Sequence, residues 1–172
     1  MNALAPYSIP ILGLKIGVHH LKYAIDGAFF RHFEGSPLES ADVRFEVELD
    51  KRADMLLLDF ELEGTVRAIC DRCTAEIDLP IEDSRQLIIK YGDSEGEEED
   101  EVVFISREAS EFNVAKYLYE FTILALPITN TYDCESDPTP PCNRDILKYL
   151  EQESDEQKPP SIWDTLKDFN NN

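Results

Sequence analysis

The chain has 172 residues, 42% hydrophobic and 10% aromatic, with 36 acidic side chains against 16 Lys and Arg and a formal charge of −20. That is enough apolar material for one ordinary domain, or one domain with a small appendage, and it argues against wholesale disorder. A field of this sign repels phosphate backbones, which disfavours stand-alone, non-specific nucleic-acid binding and makes basic partners the natural alternative.

No apolar run approaches the roughly 18 residues that a spanning helix needs. Residues 1–10 lack a basic stretch followed by an apolar one, so no export signal is read. The expectation is a cytosolic protein without a membrane span.

In chain order, residues 7–16 are apolar but contain Pro10 and Gly13, which suits a broken or edge strand. Residues 18–25 and 28–33 flank Asp26-Gly27, a pair that tolerates the positive φ of a tight turn, and so predict a hairpin. Val43, Phe45, Val47 and Leu49 alternate with Arg44, Glu46 and Glu48, the period of a half-buried strand. Leu56, Leu58, Phe60 and Leu62 then share one face, with Asp59, Glu61 and Glu63 on the other. Gly64 marks a bulge or tight reversal before 65–70. Residues 76–81 alternate again, and 85–91 read as one more strand.

Residues 93–101 then hold seven acids and no base, a run that cannot bury itself. It reads as a mobile loop, either simply solvated or a lure for a basic partner. Residues 101–105 return to the sheet. From Ser110 the period becomes helical: Val114, Leu118, Phe121 and Ala125 recur, with Tyr117 and Leu124 widening the stripe. Ser110 is the expected N-cap and Pro127 the stop, giving a core-facing helix over 111–126. Pro138, Pro140 and Pro141 stiffen the next loop, and Asn143 caps a second helix over 144–153. A polar linker over 151–160 leads to a short amphipathic segment with Ile162, Trp163, Leu166 and Phe169.

The chain's most specific chemistry lies in its four cysteines, Cys70, Cys73, Cys134 and Cys142. Cys70-Asp71-Arg72-Cys73 brings two sulfurs to one side of a short turn, a geometry used by zinc knuckles and by redox pairs. With no export signal, reduced thiols or a metal site are expected in preference to disulfides. Four thiolates match a tetrahedral structural zinc, although seven residues separate Cys134 from Cys142 and neither sits in a tight turn. The alternative is four structural thiols. Thioredoxin-like chemistry is disfavoured, because such a pair opens a helix whereas 74–81 reads as strand.

His19, His20 and His32 lie in expected strands with no serine motif or metal spacing around them, and there is no glycine-rich phosphate loop. No enzyme constellation emerges. Arg67, Arg72, Arg85 and Lys90 flank the cysteine turn and are the candidates for direct RNA contact, the alternative being that they balance nearby carboxylates.

The order of these features resembles a known family. Strands lead into Cys70-Asp71-Arg72-Cys73, an acidic loop follows, and Tyr119-Glu120-Phe121 runs into Leu124-Ala125-Leu126-Pro127. A cysteine-bearing loop and a tryptophan segment, Trp163 to Leu166, complete the pattern, with Leu14 to His19 and Phe29-Phe30 near the start. The chain is similar to the YceD proteins, the large ribosomal RNA subunit accumulation family, and to their shorter acidic Bacteroidetes-type members. The lead-in Pro160-Ser161-Ile162 before Trp163 departs from the family's usual Asp-Pro-Arg. The resemblance implies a non-enzymatic role in synthesis, processing or accumulation of large-subunit ribosomal RNA. Ribosomal proteins or a pre-large-subunit particle would be the partners.

The expected fold is α+β: a curved antiparallel sheet or partial barrel, a long covering helix and a small helical C-terminal tail. The expected division is 1–127, a β-rich domain with covering helix and an acidic loop over 92–101, and 128–172, a cysteine- and proline-bearing loop with the tail. The competing functional expectation is a zinc- or redox-responsive regulator built on the four cysteines.

Overall fold

A computed structural model describes residues 3–92, 98–99, 102–134 and 136–155. The chain begins with two single 3-10 turns, Ala5–Tyr7 and Ile11–Gly13, around a two-residue strand β1 (Ser8–Ile9). Strand β2 (Gly17–Asp26) follows, then helix α1 (Gly27–Phe30), and the long strands β3 (Ala41–Lys51), β4 (Met55–Ile69) and β5 (Glu76–Tyr91). Strands β6 (Glu98–Glu99), β7 (Val102–Ile105) and β8 (Phe112–Asn113) precede helices α2 (Ala115–Leu124) and α3 (Arg144–Asp155). The architecture is α+β. One open six-stranded sheet has the order β2-β3-β4-β5-β7-β6, and β1 pairs with β8 in a separate two-stranded ribbon.

Alternation builds the sheet as expected. Val43, Phe45, Val47 and Leu49 of β3, Leu56, Leu58, Phe60 and Leu62 of β4, and Ile77, Leu79 and Ile81 of β5 are all buried on one face. Helix α2 packs against that face through Leu118 and Tyr117, and the Phe60 and Phe121 rings meet edge-on at 5.1 Å. Phe30, Phe33 and Tyr119 extend the contact, with Phe33 stacked on Tyr119 at 4.1 Å. At the far end of β3, Lys51 Nζ donates to the carbonyls of Ile11 and Leu14 at 2.7 and 2.8 Å, fastening the N-terminal segment to the sheet.

Several expectations are corrected. Asp26-Gly27 does not turn a hairpin. Asp26 is extended, and its carboxylate accepts from the N–H of Ala28 and Phe29 at 2.9 and 3.2 Å, so it caps α1. His32 consequently lies in the turn after α1, outside any strand. Gly64 makes neither bulge nor reversal but sits inside unbroken β4, opposite Val43 and Ile81. A Cβ there would collide with the Asp42 carbonyl and come within 2.7 Å of Val43 Cα, so glycine lets β3 and β4 close up. Residues 76–81 and 85–91 are one strand, paired with β4 from Ile69↔Glu76 to Met55↔Lys90.

The sheet is mixed, because β7 runs parallel to β5, with Ile88 beside Val102 and Tyr91 beside Ile105. Its edges stay open, so it is no barrel. The covering helix is ten residues long and starts later than Ser110. Phe112-Asn113 is held as strand against Ser8-Ile9, and Asn113 Oδ1 accepts from Ala115 N–H at 2.9 Å. Asn143 does cap α3, accepting from Asp145 N–H at 3.2 Å, but the helix runs through Asp155, two residues past its expected end at 153 and across the first half of the expected linker. The expected acidic loop over 93–101 lies outside the described residues apart from Glu98–Glu99, which pair with β7. The expected amphipathic segment around Trp163 lies outside them altogether. Among the described residues no helix is long and apolar enough to cross a membrane.

Candidate functional site: an acidic sheet face and a cysteine turn

The polar residues of the alternating strands gather on the sheet face opposite α2. Register decides which of them meet. Glu46 of β3 stands directly opposite Glu61 of β4, and Glu48 opposite Asp59. Glu63 stands opposite Glu82 of β5. Like charges placed directly opposite on neighbouring strands destabilise a sheet. Local relief is partial: Lys22 Nζ bonds Glu46 at 2.5 Å, His20 approaches Glu48 at 3.8 Å, and Gln86 donates to Asp59 at 2.6 Å. The Lys22 hydrogen bond and charge hold the Glu46 carboxyl below its usual range.

This face is also concave. Three hollows of about 680, 590 and 440 Å³ lie on it, and adjacent ones share Arg44, Glu63 and Glu82, or Lys22, Glu46 and Glu61. Together they form one trough. Its charged lining is Asp42, Glu46, Glu48, Asp59, Glu61, Glu63 and Glu82 against Lys22 and Arg44, seven carboxylates to two fixed cations. Strand alternation names the residues that face outward, but only the cross-strand register reveals that acids oppose acids.

The four expected RNA-contact residues are not brought together. Arg67 bonds Asp78 at 3.1 Å across the β4–β5 pair. Arg85 lies on the inner face and bonds Asp83 at 2.7 Å. Lys90 pairs in register with Met55, at the other end of β4 from Arg67, about 40 Å away at the usual strand rise. Arg72 is exposed in the cysteine turn.

The cysteine turn joins β4 to β5. Cys70 N–H donates to the Ala75 carbonyl and Thr74 N–H to the Cys70 carbonyl, both at 2.8 Å, and Thr74 takes a positive φ of 58° to bring the chain back. Cys70 and Cys73 are buried free thiols. Burial pushes the Cys70 thiol up, but the backbone N–H groups of Cys73, Arg72 and Tyr132, with the Cys73 side chain, bond its sulfur and leave it below its ordinary value. The loop after α2 is sewn to this turn. Asp71 N–H donates to the Asn130 carbonyl at 2.8 Å, and Asn130 N–H donates back to Asp71 Oδ2 at 2.7 Å.

Cys134 and Cys142 are bonded to each other, with their Cα atoms 6.4 Å apart, where reduced thiols or metal ligands were expected. Cys134 Sγ lies 3.5 Å from the Tyr132 carbonyl, so one residue touches sulfurs of both pairs. Among the described residues, no three His, Cys, Asp or Glu side chains stand grouped to hold a metal ion. The histidines take no part: His19 Nε2 meets the Lys15 carbonyl at 2.8 Å, and His20 faces the acidic trough.

No curated protein and no solved structure matches this chain. A family model does, over residues 58–170, well over half of the 172. The match begins inside β4 and takes in the cysteine turn, α2 and the cysteine loop. Its description, large ribosomal RNA subunit accumulation protein, assigns the family a role in accumulation of the large ribosomal subunit, and this chain belongs to that YceD family.

Proposed function

We propose that this protein is a non-enzymatic cytoplasmic factor that supports accumulation of large-subunit ribosomal RNA by docking its acidic trough onto a basic protein segment of the assembling particle. The observation that carries this reading is the opposed carboxylates at Glu46↔Glu61, Glu48↔Asp59 and Glu63↔Glu82, set in a concave face. Such pairs weaken the free sheet. A Lys- and Arg-rich segment laid along the trough would neutralise them, so relief of repulsion adds to the attraction between partners. Ribosomal proteins carry such segments, whereas bare RNA would add more negative charge to the same face. The role in the large subunit rests on family membership, and the mode of contact on the charge and shape of the sheet.

The test is a ribosome profile on a sucrose gradient from cells lacking the protein, with large-subunit RNA quantified against small-subunit RNA. A selective fall in large-subunit RNA is expected. An unchanged ratio would overturn the functional reading.

A further inference from the structure

The end of the sheet where β3 turns into β4 carries the opposite sign to the trough. A hollow of about 290 Å³ there is lined by Ile16, Lys51, Arg52, Ala53, Tyr91 and Arg107. Among the described residues its wall holds three cations and no carboxylate. The chain has 36 acids against 16 Lys and Arg, so a charged wall drawn from that composition would be mostly carboxylate. Several segments build it. Lys51 and Tyr91 continue the inward-facing series of β3 and β5, after Leu49 and Ile89. Arg52 and Ala53 form the β3–β4 turn, which Arg52 N–H closes by donating to the Met55 carbonyl at 2.9 Å. Arg107 follows β7, whose Ile105 pairs with Tyr91, and Ile16 immediately precedes β2.

The three cations differ in what they have left to give. Lys51 Nζ is committed to the carbonyls of Ile11 and Leu14, so it contributes charge from a fixed place. Arg52 spends Nε on Asp50 at 2.7 Å, and no described residue bonds its terminal nitrogens. Arg107 is exposed and enters no ion pair among the described residues. Burial pushes the Tyr91 hydroxyl up, and the Arg107 charge beside it acts the other way. Guanidinium forks with donors to spare suit the oxygens of a phosphate. The rest of the wall is different. Tyr91 offers a half-buried ring, and Ile16, 72% exposed, offers apolar surface. A carboxylate has no use for such a wall, whereas a nucleotide carries a flat base beside its phosphate.

We propose that this hollow binds one nucleotide of single-stranded RNA, its phosphate between Arg52 and Arg107 and its base against Tyr91 and Ile16. The contact lies apart from the trough and has the opposite sign, so it needs no basic protein partner. A hollow of this size admits one unstacked base with its phosphate, which a single strand offers and a duplex does not. The chain's charge of −20 opposes the approach of RNA, so the hollow holds a strand weakly and orients it. Of the residues expected to touch RNA, only Lys90 lies at this end, one place before Tyr91.

The test is a titration of the full, isotope-labelled chain with a uridine hexanucleotide at low salt, read from backbone amide shifts by NMR. The amides of Arg52, Ala53 and Arg107 should move together and saturate, while those along the trough stay still. Arg52→Gln/Arg107→Gln should weaken binding by about tenfold or more. Arg31→Gln/Arg144→Gln removes the same charge at exposed positions elsewhere and should bind like the parent. Inorganic phosphate, uridine monophosphate and a hexaglutamate peptide, titrated in parallel, should all bind more weakly than the hexanucleotide. Any of them binding as tightly would overturn the proposal, making the hollow a site for simple anions, free nucleotides or acidic peptides respectively. So would a hexanucleotide that leaves Arg52, Ala53 and Arg107 unmoved, or an equal loss of binding in the two double variants. The shifts of the unmutated chain need no variant, so a misfolded mutant cannot leave the question open.

Discussion

Glu46 and Glu61 face each other across β3 and β4, and among the described residues Lys22 bonds Glu46 while no cation bonds Glu61. Like charges set directly opposite on neighbouring strands disfavour a sheet, and a partner of opposite charge would offset them. Glu61→Gln should raise the unfolding free energy of the isolated protein, read from urea denaturation, by about 0.2–1 kcal/mol for one opposed pair. Added salt should stabilise the parent more than the variant. A variant less stable than the parent at low salt would show that the pair is not repulsive.

Gly64 is the point of closest approach between β3 and β4. Gly64→Ala should cost about 1–3 kcal/mol, the range of overpacked sites, because the added carbon meets backbone that cannot move aside. Gly13→Ala, where nothing lies within 4 Å, is the control and should be nearly neutral. Chemical denaturation of both variants checks the contrast.

Phe60 carries the contact between the sheet and α2, being 1% exposed and edge-on to Phe121. Phe60→Ala should destabilise the fold by about 3–5 kcal/mol. Hydrogen exchange should show α2 amides losing protection along with the sheet. Retention of parental stability would mean that α2 is docked by other contacts.

Asp26 holds two otherwise orphaned N–H groups at the start of α1. Asp26→Ala should cost about 1 kcal/mol and Asp26→Asn much less, because asparagine retains the capping oxygen. Equal losses from both would point to the charge and away from the cap.

Burial pushes the Tyr23 hydroxyl from 10.0 up to about 12, and that of Tyr7 rises in the same direction through burial and the nearby Asp26 charge. Folding favours the neutral phenol. The stability it contributes is whole below about pH 10 and is lost as pH climbs toward 12. Tyr23→Phe should flatten the fall in urea midpoint across that interval. An unaltered slope would assign the loss to other groups.

Much of this architecture was legible residue by residue. The period-two runs through Val43–Leu49 and Leu56–Leu62 identified strands and their inward faces, because burial of one face demands alternation. Asn143 as a cap was readable for the same local reason. The misreadings came where one signal serves two structures. Asp26-Gly27 suits a tight turn and a helix start equally, and tertiary packing of Phe29 and Phe30 decided for the helix. Gly64 reads as a break, yet the close neighbouring strand, which no local pattern reveals, is what requires it. The late start of α2 depends on Phe112-Asn113 pairing with a strand more than a hundred residues earlier. The parallel placement of β7 depends on the path of the chain rather than on its composition. The acidic trough was half readable: the outward acids were evident, their opposition was not, since it requires the register.

The central claim is that the trough docks on the assembling large subunit by charge. The most direct measurement is co-sedimentation of the full chain with pre-large-subunit particles, at low and raised salt, beside Glu46→Gln/Glu61→Gln/Glu63→Gln. The parent should travel with the particles at low salt and leave them as salt rises, while the folded triple variant stays at the top of the gradient. A variant that sediments like the parent, or a parent that stays at the top even at low salt after crosslinking, would contradict the account.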